Sequence, residues 1–132
     1  MTVRTGAGRG LTDLTGECAA FLDDVGARDG LLSVFVPHAT AGVVVLEIGA
    51  GSDADLLAAL DRLLPRDESR YRHQHGSAGH GADHVLPLLA PPSLTVPVIE
   101  GRLALGTWQS VCLLDPNPDN PVRTVRLGFL AG

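Results

Sequence analysis

The sequence predicts an α+β fold: a compact sandwich of mixed or antiparallel β-sheet carrying two main helices. Three patterns support it. Apolar, β-rich runs appear early, two segments space their apolar residues helically, and from Ser93 onward strand-like runs alternate with turn residues. The 132 residues are read as a single domain, 1–132, long enough to bury a core. The chain is 45% hydrophobic but only 4% aromatic, so aliphatic side chains must build that core.

Between Thr15 and Ala27, Cys18, Phe21, Leu22 and Val25 fall at helical spacing, and Gly30 closes the element. Leu31–Val36 (LLSVFV) then reads as a buried strand, ended by Pro37. Gly42–Ile48 (GVVVLEI) is a second apolar strand. The clearest helix is Asp53–Leu64, in which Leu56, Leu57, Leu60, Leu63 and Leu64 make one face. Ser52 is its expected cap, Asp53 and Asp55 suit its first turn, and Pro65 stops it. After a histidine-rich loop, Val85–Leu89 is a short apolar segment of one or two helical turns. Ser93–Val98, Leu103–Leu105, Thr107–Leu114 and Val122–Leu130 are the expected later strands, with turns at Glu100-Gly101 and Pro116-Asn117-Pro118. Several strands are apolar on both faces, which calls for a second layer or a subunit contact.

Composition excludes several chemistries. The formal charge of −5 argues against general affinity for nucleic acid or anionic membrane. The N-terminal stretch lacks the apolar region of a signal peptide, and no apolar run reaches the roughly 20 residues of a membrane helix. A cytoplasmic location is therefore expected. The chain has no lysine, which rules out a Schiff-base lysine and a P-loop lysine. Any phosphate must be held by arginine, backbone amides, hydroxyls or a metal. Cys18 and Cys112 lie far apart in apolar stretches, without zinc-finger or redox spacing.

Four of the five histidines, His73, His75, His80 and His84, fall within twelve residues, in RHQHGSAGHGADH. Histidine is the commonest metal ligand, so this loop is the expected working end of the molecule. His80 and His84 share one face if the segment is helical, and His73 and His75 share one if it is extended. Either pair supplies two ligands, with a third from elsewhere. His38 follows a strand in PHATAG, where small residues let a ligand approach the backbone or the imidazole makes a local hydrogen bond. Glu47, near the end of an apolar strand, is either a general base or a salt-bridge partner. In GRLALGTWQ, Arg102, Thr107 and Gln109 place polar groups beside the only tryptophan, Trp108. Arg102 is either an exposed charge at the Gly101 turn or, with Arg123 and Arg126, part of a candidate anion site.

The stretches PHATAG, YRHQH, SLTVPVIEGRLALGTWQ and VRTVRLGFL stand in the order and approximate separation of the YjbQ-like family, also called secondary thiamine-phosphate synthase. The chain resembles that family over nearly its whole length. Glu47 matches its acidic position after the strand, and His84 the histidine that opens its short helix. Four features depart from the family, one of them a closing Arg-x-Arg pattern altered by Val125 between Arg123 and Arg126. Ala39 replaces a hydroxyl residue, and His80-Gly81-Ala82-Asp83-His84 replaces an Asn-x-Asp-Ala-His arrangement. Asp115, in a DPNPDNP turn, stands in for a glutamate.

The resemblance implies a compact α+β homotrimer with a histidine-rich site for a divalent metal, zinc or magnesium. Its implied activity joins a pyrimidine-methyl diphosphate to a thiazole phosphate with release of pyrophosphate, so its partners would be small phosphorylated metabolites. On that reading His38, His73 and His84 hold the metal or contact phosphate. Arg102, Thr107 and Arg123 bind phosphate, and Glu47 or Gln109 orients the pyrimidine or a water. Because imidazole is a soft partner for magnesium, two alternatives stand beside the transferase. One is a zinc-dependent phosphoester hydrolase, the other a non-enzymatic trimer that binds metal or metabolite.

Overall fold

A computed structural model describes residues 1–132 and shows nine strands and three α-helices. The strands are β1 (Thr2–Arg4), β2 (Gly10–Asp13), β3 (Gly30–Phe35), β4 (Gly42–Leu46), β5 (Ser93–Ile99), β6 (Arg102–Leu103), β7 (Ser110–Asp115), β8 (Val122–Thr124) and β9 (Arg126–Ala131). The helices are α1 (Thr15–Asp24), α2 (Ser52–Leu63) and α3 (His80–Asp83), with 3₁₀ turns at Glu68–Arg70 and Leu86–Leu88. All strand pairs are antiparallel, in sheets ordered β6-β5-β3-β9, β2-β7-β4 and β1-β8. The α+β expectation holds.

The two larger sheets face each other across the main core. Leu32, Val34, Val36, Val96 and Val98 come from the four-stranded side, and Val43, Val111 and Leu113 from the three-stranded side. Leu14, Cys18 and Leu22, at and within α1, close one end. A second cluster, Leu60, Leu86, Ala90 and Leu114, seats α2 on the opposite face of β2-β7-β4. This supplies the second layer for β7, whose residues Val111–Asp115 are all buried. Strand β3 is different. Its outward Leu31 and Phe35 remain exposed, as do Ile99 and Leu130 on the same sheet.

Several local expectations need correcting. Gly51, left-handed at φ 97°, occupies the N-cap of α2 with no side-chain capping bond, and Ser52 is already helical. The expected strand Thr107–Leu114 starts only at Ser110, because Gly106–Gln109 forms a turn closed by a Gln109 N–H bond to the Gly106 carbonyl. Val122–Leu130 divides at Val125: β8 pairs with β1 while β9 pairs with β3. The Val125 N–H leaves both ladders and donates to the Met1 carbonyl at 3.0 Å. No helix is long and apolar enough to cross a membrane.

Candidate metal centre

The histidine loop folds back on itself because three of its positions lack a Cβ. At Gly76 (φ +82°) a Cβ would stand 2.5 Å from His80 Nδ1, and at Gly81 it would stand 2.6 Å from Tyr71 Cβ. At Gly79 (φ +87°), the N-cap of α3, it would strike the Arg66 guanidinium. The chain therefore passes twice through the same small volume. His73, His80 and His84 each direct one ring nitrogen into it, and the three nitrogens lie within 4.8 Å of one another. His80 Nε2 and His84 Nε2 are 3.0 Å apart.

The imidazoles are oriented from behind. Asp119 Oδ2 accepts a hydrogen bond from His80 Nδ1 at 2.8 Å and another from the Ser77 N–H at 3.0 Å. The Ser77 amide and the His80 ring together lower the Asp119 carboxyl to about pH 2, so it is an anion at neutral pH. An anionic acceptor fixes the Nδ1–H tautomer of His80, leaving the Nε2 lone pair to face His84. Asp83, on α3 and almost wholly buried, accepts from Arg66 Nη1 at 2.5 Å and from Asn117 Nδ2 at 3.0 Å. Arg66 Nη2 also donates to the Ala78 carbonyl. This network pins the short helix that carries His80 and His84 to the segment after β7. Partial desolvation, then the charges of the neighbouring imidazoles, lower the pKa values of the exposed His73 and the half-buried His84. Both shifts favour the neutral, ligating form at physiological pH.

The expected metal set of His38, His73 and His84 is corrected at one member. His38 lies outside the group: its Nε2 accepts the Thr124 N–H at 2.8 Å, a hydrogen bond to a strand 86 residues away and not the local one expected as the alternative to a ligand role. His80 takes its place. The expected phosphate ligands do not converge on the histidines either. Arg123 is buried, pairs with both oxygens of Asp115 at 2.7 Å and donates to Thr40 Oγ1, so it has a structural partner already. Arg102 lines a groove against α1 together with Gln109, whose Oε1 accepts the Gly106 N–H. Thr107 and Glu47 are exposed. Asp83, Asn117, Asp119 and Arg66 were missed. The turn-forming DPNPDN run was the one available signal, since Asx turns there aim carboxyl and amide groups at nearby backbone.

A family model described as UPF0047 protein YjbQ-like matches residues 1–132. The chain belongs to the YjbQ-like UPF0047 family. The UPF0047 protein Rv2556c of Mycobacterium tuberculosis is 60% identical over 126 residues, covering 96% of this chain and 92% of the relative. The UPF0047 protein YugU of Bacillus subtilis is 35% identical, covering 76% and 75%. Among solved structures, a hypothetical protein of Aeropyrum pernix superposes with a TM-score of 0.87 at 32% identity, covering 100% and 96% of the two chains. A conserved hypothetical protein of Thermus thermophilus gives 0.83 at 34% identity, covering 98% of each.

Membership corrects the expected activity. The UPF0047 relatives carry no thiamine-phosphate synthase description, and a structural neighbour from Sulfolobus solfataricus is itself a YbjQ-like protein of unknown function. The transferase reading is withdrawn, and with it the phosphate chemistry assigned to Arg102, Thr107 and Arg123. What remains is a histidine cluster able to hold a metal.

Proposed function

We propose that this UPF0047 protein binds one zinc-class transition-metal ion through His73, His80 and His84 and presents it at the surface with an exchangeable position. One observation carries the reading: three imidazole nitrogens lie within 4.8 Å, one of them on a ring backed by a carboxylate. Ligand nitrogens 2.0–2.1 Å from a tetrahedral zinc stand about 3.3 Å apart. The 3.0 Å between His80 Nε2 and His84 Nε2 therefore needs only a small adjustment. An all-imidazole donor set fits zinc and fits magnesium poorly, because magnesium takes oxygen ligands.

Zinc held by three imidazoles supplies Lewis acidity to whatever small ligand occupies its remaining position. The chain's own groups have separate tasks. Asp119 holds the Nδ1 proton of His80, Asp83 with Arg66 and Asn117 fixes α3, and the exposed His73 marks the side from which a ligand enters. Two further proposals accompany this one. The exposed Leu31, Phe35, Ile99 and Leu130 on one sheet face support assembly as a homotrimer, read by sedimentation equilibrium. Two buried free cysteines suit a reducing, cytoplasmic compartment.

Calorimetric titration of chelator-stripped protein tests the metal reading. One Zn²⁺ per chain should bind at micromolar or tighter affinity, and Mg²⁺ should give no heat. Absence of Zn²⁺ binding to folded protein overturns the proposal.

A further inference from the structure

We propose that His75 is a displaceable fourth ligand, which closes the exchangeable position of the three-histidine site and yields it to incoming anions. This rests on the metal reading above. The His75 ring centroid is 4.1 Å from that of His73 and 4.5 Å from that of His80, but 6.3 Å from that of His84. It therefore borders two of the three ligands while its nitrogens stay outside the group that converges. The position is that of a group beside the site and not yet in it.

Its freedom differs from that of His80 and His84, and is shared by His73, which is also exposed and makes no side-chain hydrogen bond. His80 is held by Asp119, and His84 meets His80 across 3.0 Å. His75 is exposed, and none of the side-chain hydrogen bonds involves it. The backbone beneath it is nevertheless anchored. Gln74 Nε2 donates to the carbonyls of Glu68 and Tyr71, and Gly76 makes the left-handed turn that brings Asp119 and His80 together. An imidazole on a fixed backbone position with a free side chain moves by rotamer exchange alone, on a picosecond to nanosecond scale when exposed.

The chemical consequence is a choice between two states. Four imidazoles around zinc make a closed, unreactive sphere, whereas three leave a position for another ligand. An anion enters by replacing one dative N–metal bond with one of its own, and His75 leaves as the neutral imidazole. No proton or electron transfer is needed. His75 thereby sets how strongly a ligand must bind before the site opens.

The test uses the full chain loaded with Co²⁺ in place of zinc, wild type beside His75→Ala and His75→Gln, with circular dichroism to establish folding. Azide is titrated and the cobalt visible bands are followed. His75→Ala should bind Co²⁺ about tenfold more weakly and azide about tenfold more tightly, the factor for a position that His75 occupies about nine-tenths of the time. His75→Gln should behave like the alanine variant. Equal azide affinity in the three Co²⁺-loaded proteins would overturn the fourth-ligand role and leave the three-histidine site standing. Failure of folded wild type to bind Co²⁺ would overturn both.

Discussion

Replacing Asp119 by alanine tests whether the histidine cluster is a prepared metal site. Asp119 touches no candidate ion position; it acts through His80. Its Oδ2 accepts from His80 Nδ1 at 2.8 Å and from the Ser77 N–H at 3.0 Å, so one oxygen fixes both the ring tautomer and the loop that precedes it. Without it His80 is free to carry its proton on Nε2, and that tautomer cannot ligate through the nitrogen that faces His84. Removing such an outer carboxylate from metal-bound histidines typically costs 10–100-fold in affinity. Asp119→Ala should lose zinc affinity by that factor. Asp119→Asn, which keeps a neutral oxygen acceptor, should lose less. Competition against a fluorescent zinc chelator reads the ratio. A folded Asp119→Ala that binds zinc within twofold of wild type, while His80→Ala binds none, would refute the reasoning.

Three further outcomes are expected. Asp115→Ala strands the Arg123 guanidinium, which is 2% exposed, so it should destabilise the protein by about 3–5 kcal/mol in denaturant unfolding. Gly81→Ala sets a Cβ 2.6 Å from Tyr71 Cβ and 2.8 Å from the His73 carbonyl. It should cost about 1–3 kcal/mol and weaken zinc binding, measured on the same samples. Burial, then the Arg123 charge, holds the His38 imidazole below its ordinary pKa, with Asp115 opposing. The unfolded chain thus takes up a proton first as pH falls. The stability contributed by neutral His38 is complete above its ordinary value near 6.5 and is lost as pH drops through the lowered one. His38→Gln should flatten that part of the stability–pH curve, because its amide oxygen still accepts from Thr124.

Much of the architecture was legible from local pattern. The leucines of α2 recur at helical spacing, and the two-sided apolar run in β7 announced a strand covered on both faces. Strands β1 and β2 were not legible. They have three and four residues and owe their existence to partners about a hundred positions away or more, as in Val3 opposite Arg123. No periodicity within such short segments reports a distant pairing.

The site divides in the same way. Histidine density pointed to the right loop, but which imidazoles converge depends on three missing Cβ atoms and on a carboxylate 39 residues beyond His80. His38 stood apart from the loop in sequence, with a ligand role and a local hydrogen bond both open, and its imidazole instead accepts the distant Thr124 amide. Arg123 looked available for an anion and is buried against Asp115. In both cases the partner lies in a different strand or turn, beyond the reach of local reading.

The most direct measurement is the zinc K-edge X-ray absorption spectrum of zinc-loaded wild type beside His84→Ala. The account predicts a low-coordinate, histidine-dominated shell in wild type, with at least three imidazole nitrogens at about 2.0–2.1 Å. The folded variant should have lost one imidazole or retain no zinc. A wild-type shell of oxygen ligands, or one unchanged by removal of His84, would contradict it.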